Sequence, residues 1–219
     1  MGLEIDLLKN YPKPKRNTSE RAVNKNAKIR EVARKFGFEF FDSDRKYGYG
    51  GFNYNKKFWS PVVPTFETYW KLNSSNSILD VGCAKGFMVN DFIEQIPGIK
   101  IEGIDISEYA IKNAKEEVKN KLNVANANNL PYEDNSFDYI ISINTIHNLE
   151  LNECKKALRE IQRVSKISSF ITVDAYNTGE EKKRMFEWNL TAKTIMSVEG
   201  WKKVFDEVGY KGDYYWFIP

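Results

Sequence analysis

The stretch Ile78-Leu79-Asp80-Val81-Gly82-Cys83-Ala84-Lys85-Gly86 decides the fold. A short apolar run ends in an acid and a turn of small residues, and from Phe87 to about Ile96 the apolar spacing becomes helical. A strand that turns through small residues straight into a helix opens a βαβ unit. The turn lets a ligand approach the backbone, and the free N–H groups at the helix start hold an anionic group. Neither G-x-G-x-x-G nor G-x-x-x-x-G-K-[ST] is present, which argues against a pyrophosphate as the held group. Asp80 adds a positive indication, because an acid at a strand end pairs with an ammonium group, which an amino acid carries and a dinucleotide lacks.

Downstream, the segments IKIEGIDIS, LNVANA, SFDYIISIN and SFITVDAY alternate with helical stretches near Glu108–Asn120 and Asn152–Val164. This alternation predicts an α/β fold, a doubly wound and mainly parallel sheet with helices on both faces, in which ligands sit beyond the C-terminal strand ends. Two further helices, near Glu180–Ala192 and Val198–Val208, precede one last aromatic strand, GDYYWFI. Asp105 ends IEGID roughly 20 residues past the glycine turn, where a strand-tip carboxylate accepts hydrogen bonds from both hydroxyls of a ribose. Asn126 and Ala127 end the next strand, and an amide there has a donor and an acceptor for an adenine edge. An amino acid end, a ribose and an adenine together suggest S-adenosylmethionine.

Upstream, residues 1–76 read as an N-terminal arm and helical, aromatic cap on a core of residues 77–219, all within one domain. Prolines hold YPKPKRN extended, a helix is expected from Thr18 or Ser19 to about Phe36 with Gly37 as its stop, and another from Pro61 to Trp70. Between them DRKYGYGGFNYNKKFW is too rich in glycine for a rigid element and too aromatic for a plain linker, so it needs a partner or a core to cover.

The 219 residues carry 33 Lys and Arg against 30 Asp and Glu, a near balance that gives no general reason to invoke nucleic acid, although Lys9 to Lys35 is locally basic. Two cysteines and a single histidine leave no set for a familiar structural zinc, and no metal is expected. No apolar run reaches the roughly 20 residues of a membrane span, and the N-terminus lacks a signal-peptide pattern, so a cytoplasmic protein is expected.

The three motifs, in this order and spacing, resemble the class I S-adenosylmethionine-dependent methyltransferases, in particular the broad small-molecule, type 11-like branch. The resemblance covers Ser77 to about Tyr176 well and the C-terminal segment less well. It implies that S-adenosyl-L-methionine is the cofactor, with Asp80, Gly82 and Gly86 at its methionine end. Asp105 and Ile106 fall at the ribose, Asn126 and Ala127 at the adenine, and Asn144, at the tip of the fourth strand, joins the cofactor set. Ala84 stands where the family commonly has glycine, and Asn126 where it commonly has aspartate. A single final strand replaces the family's usual antiparallel pair, so the sheet edge is either shortened or completed elsewhere.

His147, the only histidine, follows the fourth strand and is expected near the transferable methyl group, either as a general base toward an attacking hydroxyl or amine or as a pocket-lining residue. Asp174 ends the fifth strand and either holds a substrate hydroxyl, serves as base or closes a turn. Arg45, Tyr47 and Tyr49 are the substrate or lid candidates, since N-terminal additions in the family close over the cofactor and aromatic faces suit a sulfonium cation. The expected activity is methyl transfer to a small polar acceptor, first a sugar-like hydroxyl of a surface-polysaccharide pathway, because the YGYGG cap also resembles that of bacterial enzymes of such pathways. The rivals are an RNA or protein substrate, supported by the basic Lys9–Lys35 stretch, and a non-catalytic cofactor-binding partner of another enzyme.

Overall fold

The computed structural model describes residues 2–13, 16–23 and 25–219. Pro14 and Lys15 of the proline-restricted arm and Asn24 of the first expected helix lie outside the described residues. Seven strands form one sheet: β1 (Ser77–Val81), β2 (Lys100–Asp105), β3 (Leu122–Val124), β4 (Phe137–Ile143), β5 (Ser165–Tyr176), β6 (Met196–Ser197) and β7 (Asp213–Phe217). Their order is β3-β2-β1-β4-β5-β6, with β7 also on β5, and every pairing is parallel. Strand order reverses at β1, which lies between β2 and β4, and this is where such sheets open a crevice for ligands.

A parallel sheet is covered on both faces, so its central strands are apolar on alternate sides. Leu79, Val81 and Ile140 point into a cluster with Ala157, Leu158 and Ile161 of α8 (Leu151–Val164) and with Trp201 and Phe205 of α10 (Val198–Val208). Ile78, Tyr139 and Ile141 point the other way, against Val89 and Phe92 of α6 (Phe87–Gln95) and Phe66 and Trp70 of α5 (Val63–Trp70). The N-terminal segment thus supplies a covering helix to the main core. Phe66 is fully buried, with its ring 5.1–5.9 Å from those of Trp70, Phe92 and Phe170.

Three expectations need correction. The single helix from Thr18 to Phe36 is two, α1 (Thr18–Val23) and α2 (Ala27–Ala33), because Asn26 adopts extended backbone and caps the second by accepting the Ile29 N–H at 2.9 Å. The helix expected from Pro61 begins at Val63 as α5, after a separate short turn of helix, α4 (Lys56–Trp59). The helix expected from Glu108 to Asn120 ends at Lys112 as α7 (Glu108–Lys112), and a 3-10 segment follows over Glu116–Lys121.

The last strand runs parallel to β5, and its outer edge is completed by the N-terminus. The Ile5 N–H donates to the Tyr214 carbonyl at 3.0 Å and the Tyr214 N–H to the Leu3 carbonyl at 3.0 Å. Asp213 Oδ1 also accepts the Leu3 N–H at 2.8 Å. Residues 3–5 therefore occupy part of an edge that would otherwise offer unpaired backbone groups to another chain. No helix among the described residues is long and apolar enough to cross a membrane.

Because Phe66 bridges the N-terminal segment and the sheet, Phe66→Ala is expected to lower the stability of the entire chain by about 3–5 kcal/mol in a single urea transition. A transition of the sheet that stays at its wild-type midpoint would show the N-terminal segment to be a separate unit.

Candidate functional site

The glycine turn joins β1 to α6 through three residues in the left-handed region, Gly82 (φ +90°), Ala84 (φ +50°) and Gly86 (φ +75°). A Cβ on Gly82 would stand 2.0 Å from Thr145 Oγ1, and one on Gly86 2.6 Å from Leu122 Cδ1, so both positions demand glycine for packing as well as conformation. Ala84 accepts the strain because its N–H donates to Asp105 Oδ2 at 2.9 Å. The turn is thus pinned to the tip of β2. Gly103, which the sequence reading passed over, lets Cys83 sit against β2, since a Cβ there would meet Cys83 Cβ at 2.7 Å.

Asp80 and Asp105 end adjacent strands, with Asp80 in register with Gly103 and Ile141. The Asp105 carboxylate is braced from behind: Oδ2 takes the Ala84 N–H and Oδ1 the Ser107 N–H at 2.8 Å. Asp80 is 3% exposed and takes no hydrogen bond from any described residue. Burial first, and the nearby Asp105 charge second, push its carboxyl up to about 8. Burial also raises Asp105, against the pull of its backbone donors. A buried, unpartnered acid thus stands beside a half-buried acid that is already braced. Ile106, beside Asp105, is 52% exposed and offers an apolar face. Asn126 Oδ1 accepts the Asn128 N–H at 3.2 Å, leaving its Nδ2 donors to a ligand, and Ala127 packs beside it at the edge of the core.

One strand over, a cavity of about 1130 Å³ opens from the tips of β4 and β5 beneath the N-terminal cap. Asn144, His147, Thr172 and Asp174 line it. Asn144 holds left-handed backbone (φ +52°), its Oδ1 accepts the Thr172 hydroxyl at 2.9 Å and its N–H donates to Thr172. Its side chain is therefore engaged on the cavity wall rather than with the glycine turn. His147 is 4% exposed, and its Nδ1 accepts the Asp174 backbone N–H at 2.9 Å, which assigns the neutral ring's proton to Nε2. Burial holds the imidazole below its ordinary pKa despite the Asp174 carboxylate, whose Oδ1 is 3.6 Å from Nδ1. Asp174, also 4% exposed, accepts the Asn189 side-chain amide at 2.5 Å, and burial raises its carboxyl.

The cap is fastened over this cavity. Lys85, in the glycine turn, donates to Asp42 and to the Phe52 carbonyl, and Tyr54 donates to Asp91. From the other side Arg21 donates to the Trp188 and Gly48 carbonyls, Lys25 to those of Glu187 and Asn189, and Arg34 to those of Thr191 and Ala192. The basic stretch is therefore spent on the backbone that follows α9 (Gly179–Trp188). Of the lid candidates, Arg45 and Tyr49 line the cavity, and the Tyr49 hydroxyl accepts the Leu190 N–H at 2.9 Å. Tyr47 does not: it faces a shallow surface depression beside Ile29, its ring 5.0 Å from the Lys46 ammonium, because the 3-10 turn Arg45–Tyr47 turns successive side chains by about 120° and so points Tyr47 away from Arg45. Arg16, Arg21, Thr172 and Asn189 also belong to this region and were missed. The i, i+4 spacing of Arg21 with Lys25 and of Arg30 with Arg34 was the one available signal.

Residues 72–217 match the family model described as a methyltransferase domain. The chain belongs to this family, and its fold is that of the class I S-adenosylmethionine-dependent methyltransferases. An uncharacterized protein of Haemophilus influenzae is 31% identical over 64% of this chain and 60% of its own length. A tRNA (carboxymethyluridine(34)-5-O)-methyltransferase of Arabidopsis thaliana is 33% identical over 63% of this chain and 33% of its own length. Among solved structures, the YcgJ protein of Bacillus subtilis superposes with a TM-score of 0.55 at 18% identity, covering 67% of this chain and 66% of that one. The chain spans less than two thirds of the length of these two curated relatives.

The class uses S-adenosylmethionine as methyl donor, and the residues present fit it. The unpartnered Asp80 carboxylate suits the ammonium group, the braced Asp105 with Ile106 beside it the ribose, and Asn126 with Ala127 the adenine. Because Asp80 is held protonated up to about pH 8 in the free protein, the folded state binds more protons than the unfolded chain across the window from about 4 to about 8. Stability from this group is therefore full at low pH and lost as pH rises through about 8. Asp80→Asn is expected to raise the melting temperature of the free protein at pH 8.5, and to weaken binding of S-adenosylhomocysteine at least about tenfold by calorimetric titration. A lower melting temperature with unchanged affinity would make Asp80 a structural residue.

Proposed function

We propose that the chain is a methyltransferase that moves a methyl group from S-adenosylmethionine to a small polar acceptor held in the cavity beneath the cap. The observation that carries this reading is the unpartnered, buried Asp80 carboxylate beside Asp105, one strand away from a partly open cavity with aromatic walls and polar groups at its floor. When bound, the cofactor supplies a methyl group on a positively charged sulfur. Asp80 would hold its amino acid end and Asp105 its ribose, and the cap would shield the acceptor from water and hold it in line, the positioning on which methyl transfer chiefly depends.

The hydrogen-bond pattern reassigns the two polar residues at the chamber floor. The basic lone pair of His147 is already occupied by the Asp174 N–H, so His147 acts as a fixed Nε2–H donor that orients the acceptor rather than as the general base. Asp174, raised by burial and with one oxygen engaged by Asn189, takes the acceptor's proton. Hydroxyl acceptors suit this floor, since Asn148 and Thr172 add hydrogen-bonding groups, and a sugar-like hydroxyl stays the first candidate. The RNA reading, which the plant relative's activity and the basic stretch favour, is opposed by the engagement of Arg21, Lys25 and Arg34 with main-chain carbonyls.

Incubation with methyl-labelled S-adenosylmethionine and fractionated cell extract is expected to label the small-molecule fraction; label in RNA or protein would move the acceptor to that class, and none in any fraction would favour a non-catalytic role. With an acceptor in hand, turnover is expected to fall toward acid pH through one ionisation that His147→Gln retains and Asp174→Asn abolishes, the latter with a loss of about 10²–10⁴-fold. An acid limb that disappears in His147→Gln would return the base to the histidine.

A further inference from the structure

The cavity wall opposite the strand tips is built from guanidinium groups that no carboxylate neutralises. Arg16 and Arg21 share one indole: their guanidinium carbons stand 5.3 and 4.8 Å from the Trp188 ring centre. Arg16 also covers Phe217 at 4.7 Å, and Arg21 covers Tyr49 at 4.8 Å. Arg45 lies close enough to Arg21 for the two charges to repel measurably. All three line the cavity.

The acids nearby are committed elsewhere or act elsewhere. Asp6 pairs with Lys13 at 3.0 Å, Asp44 with Lys46 at 3.4 Å and Glu4 with Lys202 at 3.1 Å. Neither Arg16, Arg21 nor Arg45 has an ion pair among the described residues, and Glu20, which also lines the cavity, accepts the Asn17 side-chain amide at 3.0 Å. Arg21 gives two of its N–H groups to backbone carbonyls, while Arg16 is held by ring faces alone. Aromatic faces compensate a desolvated guanidinium only in part: they set its plane but give its N–H groups no acceptor. Burial accordingly disfavours both cations.

We propose that Arg16, with Arg21 and Arg45, forms an anion subsite that holds a carboxylate or phosphate of the ligand, with Trp188 and Phe217 fixing the Arg16 fork and flanking the ligand's body. The identity of that ligand as the methyl acceptor rests on the methyl-transfer reading above; the anion site itself does not. The acceptor is then an acid: one end neutralises the guanidinium cluster while a polar group reaches His147 and Asp174 at the floor.

The test titrates inorganic phosphate and benzoate separately into the protein saturated with S-adenosylhomocysteine, following thermal stabilisation and heat. At least one probe is expected to bind saturably, and its affinity to fall at least about tenfold in Arg16→Gln and less in Arg16→Lys, which keeps the charge without the fork. Arg45→Gln, on an exposed side chain, is expected to weaken the same probe, and Arg159→Gln, remote and exposed, to leave it unchanged. Preference for phosphate marks a phosphorylated ligand and preference for benzoate a carboxylate on a flat body. Absence of saturable binding, or equal affinity in wild type, Arg16→Lys and Arg45→Gln, would overturn the subsite. S-Adenosylhomocysteine affinity is expected to be the same in every variant, so its absence in wild type would count against the methyltransferase reading and not against the anion site.

Discussion

Two carboxylates at neighbouring strand tips, one buried and one half-buried and unable to ionise together cheaply, are the constraint on which this structure turns. Parallel pairing places Asp80 opposite Gly103 and brings Asp105 just past it, and the glycine turn folds back so that the Ala84 N–H braces Asp105. Asp105 is thereby satisfied and Asp80 is not. An unpaired buried acid costs stability in the free protein, and a ligand carrying an ammonium group restores what was lost. In the proposed reading the site uses part of the fold's stability to select a cation.

The cap shows the opposite economy. Arg21, Lys25 and Arg34 are satisfied by carbonyls left at the end of α9 and in the segment after it, where a helix leaves acceptors unpaired. Charged donors on neutral acceptors clasp the cap to the segment from Glu187 to Ala192, and that segment carries Asn189, which in turn positions Asp174. Cap, loop and chamber floor are one hydrogen-bonded unit. Substitutions of Lys25 and Arg34 therefore act on the chamber through its frame.

The parts legible in the sequence were those with local signatures. Short apolar runs ending in Asp80, Asp105 and Asn126 name strands and tips at once, because the period of burial and the ligand-facing acid lie in the same few residues. What escaped depends on partners far along the chain. The Trp188 and Glu187 carbonyls that engage Arg21 and Lys25 lie more than 160 residues away and leave no mark in side-chain identity. Completion of the β7 edge by Leu3 to Ile5 is likewise a backbone matter. The break at Asn26 was visible in principle, since asparagine caps helices readily, but the apolar spacing from Ala22 to Phe36 outweighed it. His147 lines the cavity, while the direction of its hydrogen bond, on which its proposed donor role rests, required coordinates.

Proton release on ligand binding tests the central claim most directly. Calorimetric titration of S-adenosylhomocysteine at pH 7 in buffers of differing ionisation enthalpy counts the protons exchanged. If Asp80 is protonated in the free site and ionised against an ammonium group in the complex, the account predicts release approaching one proton per site, lost in Asp80→Asn. Tight binding with no proton exchanged would contradict it.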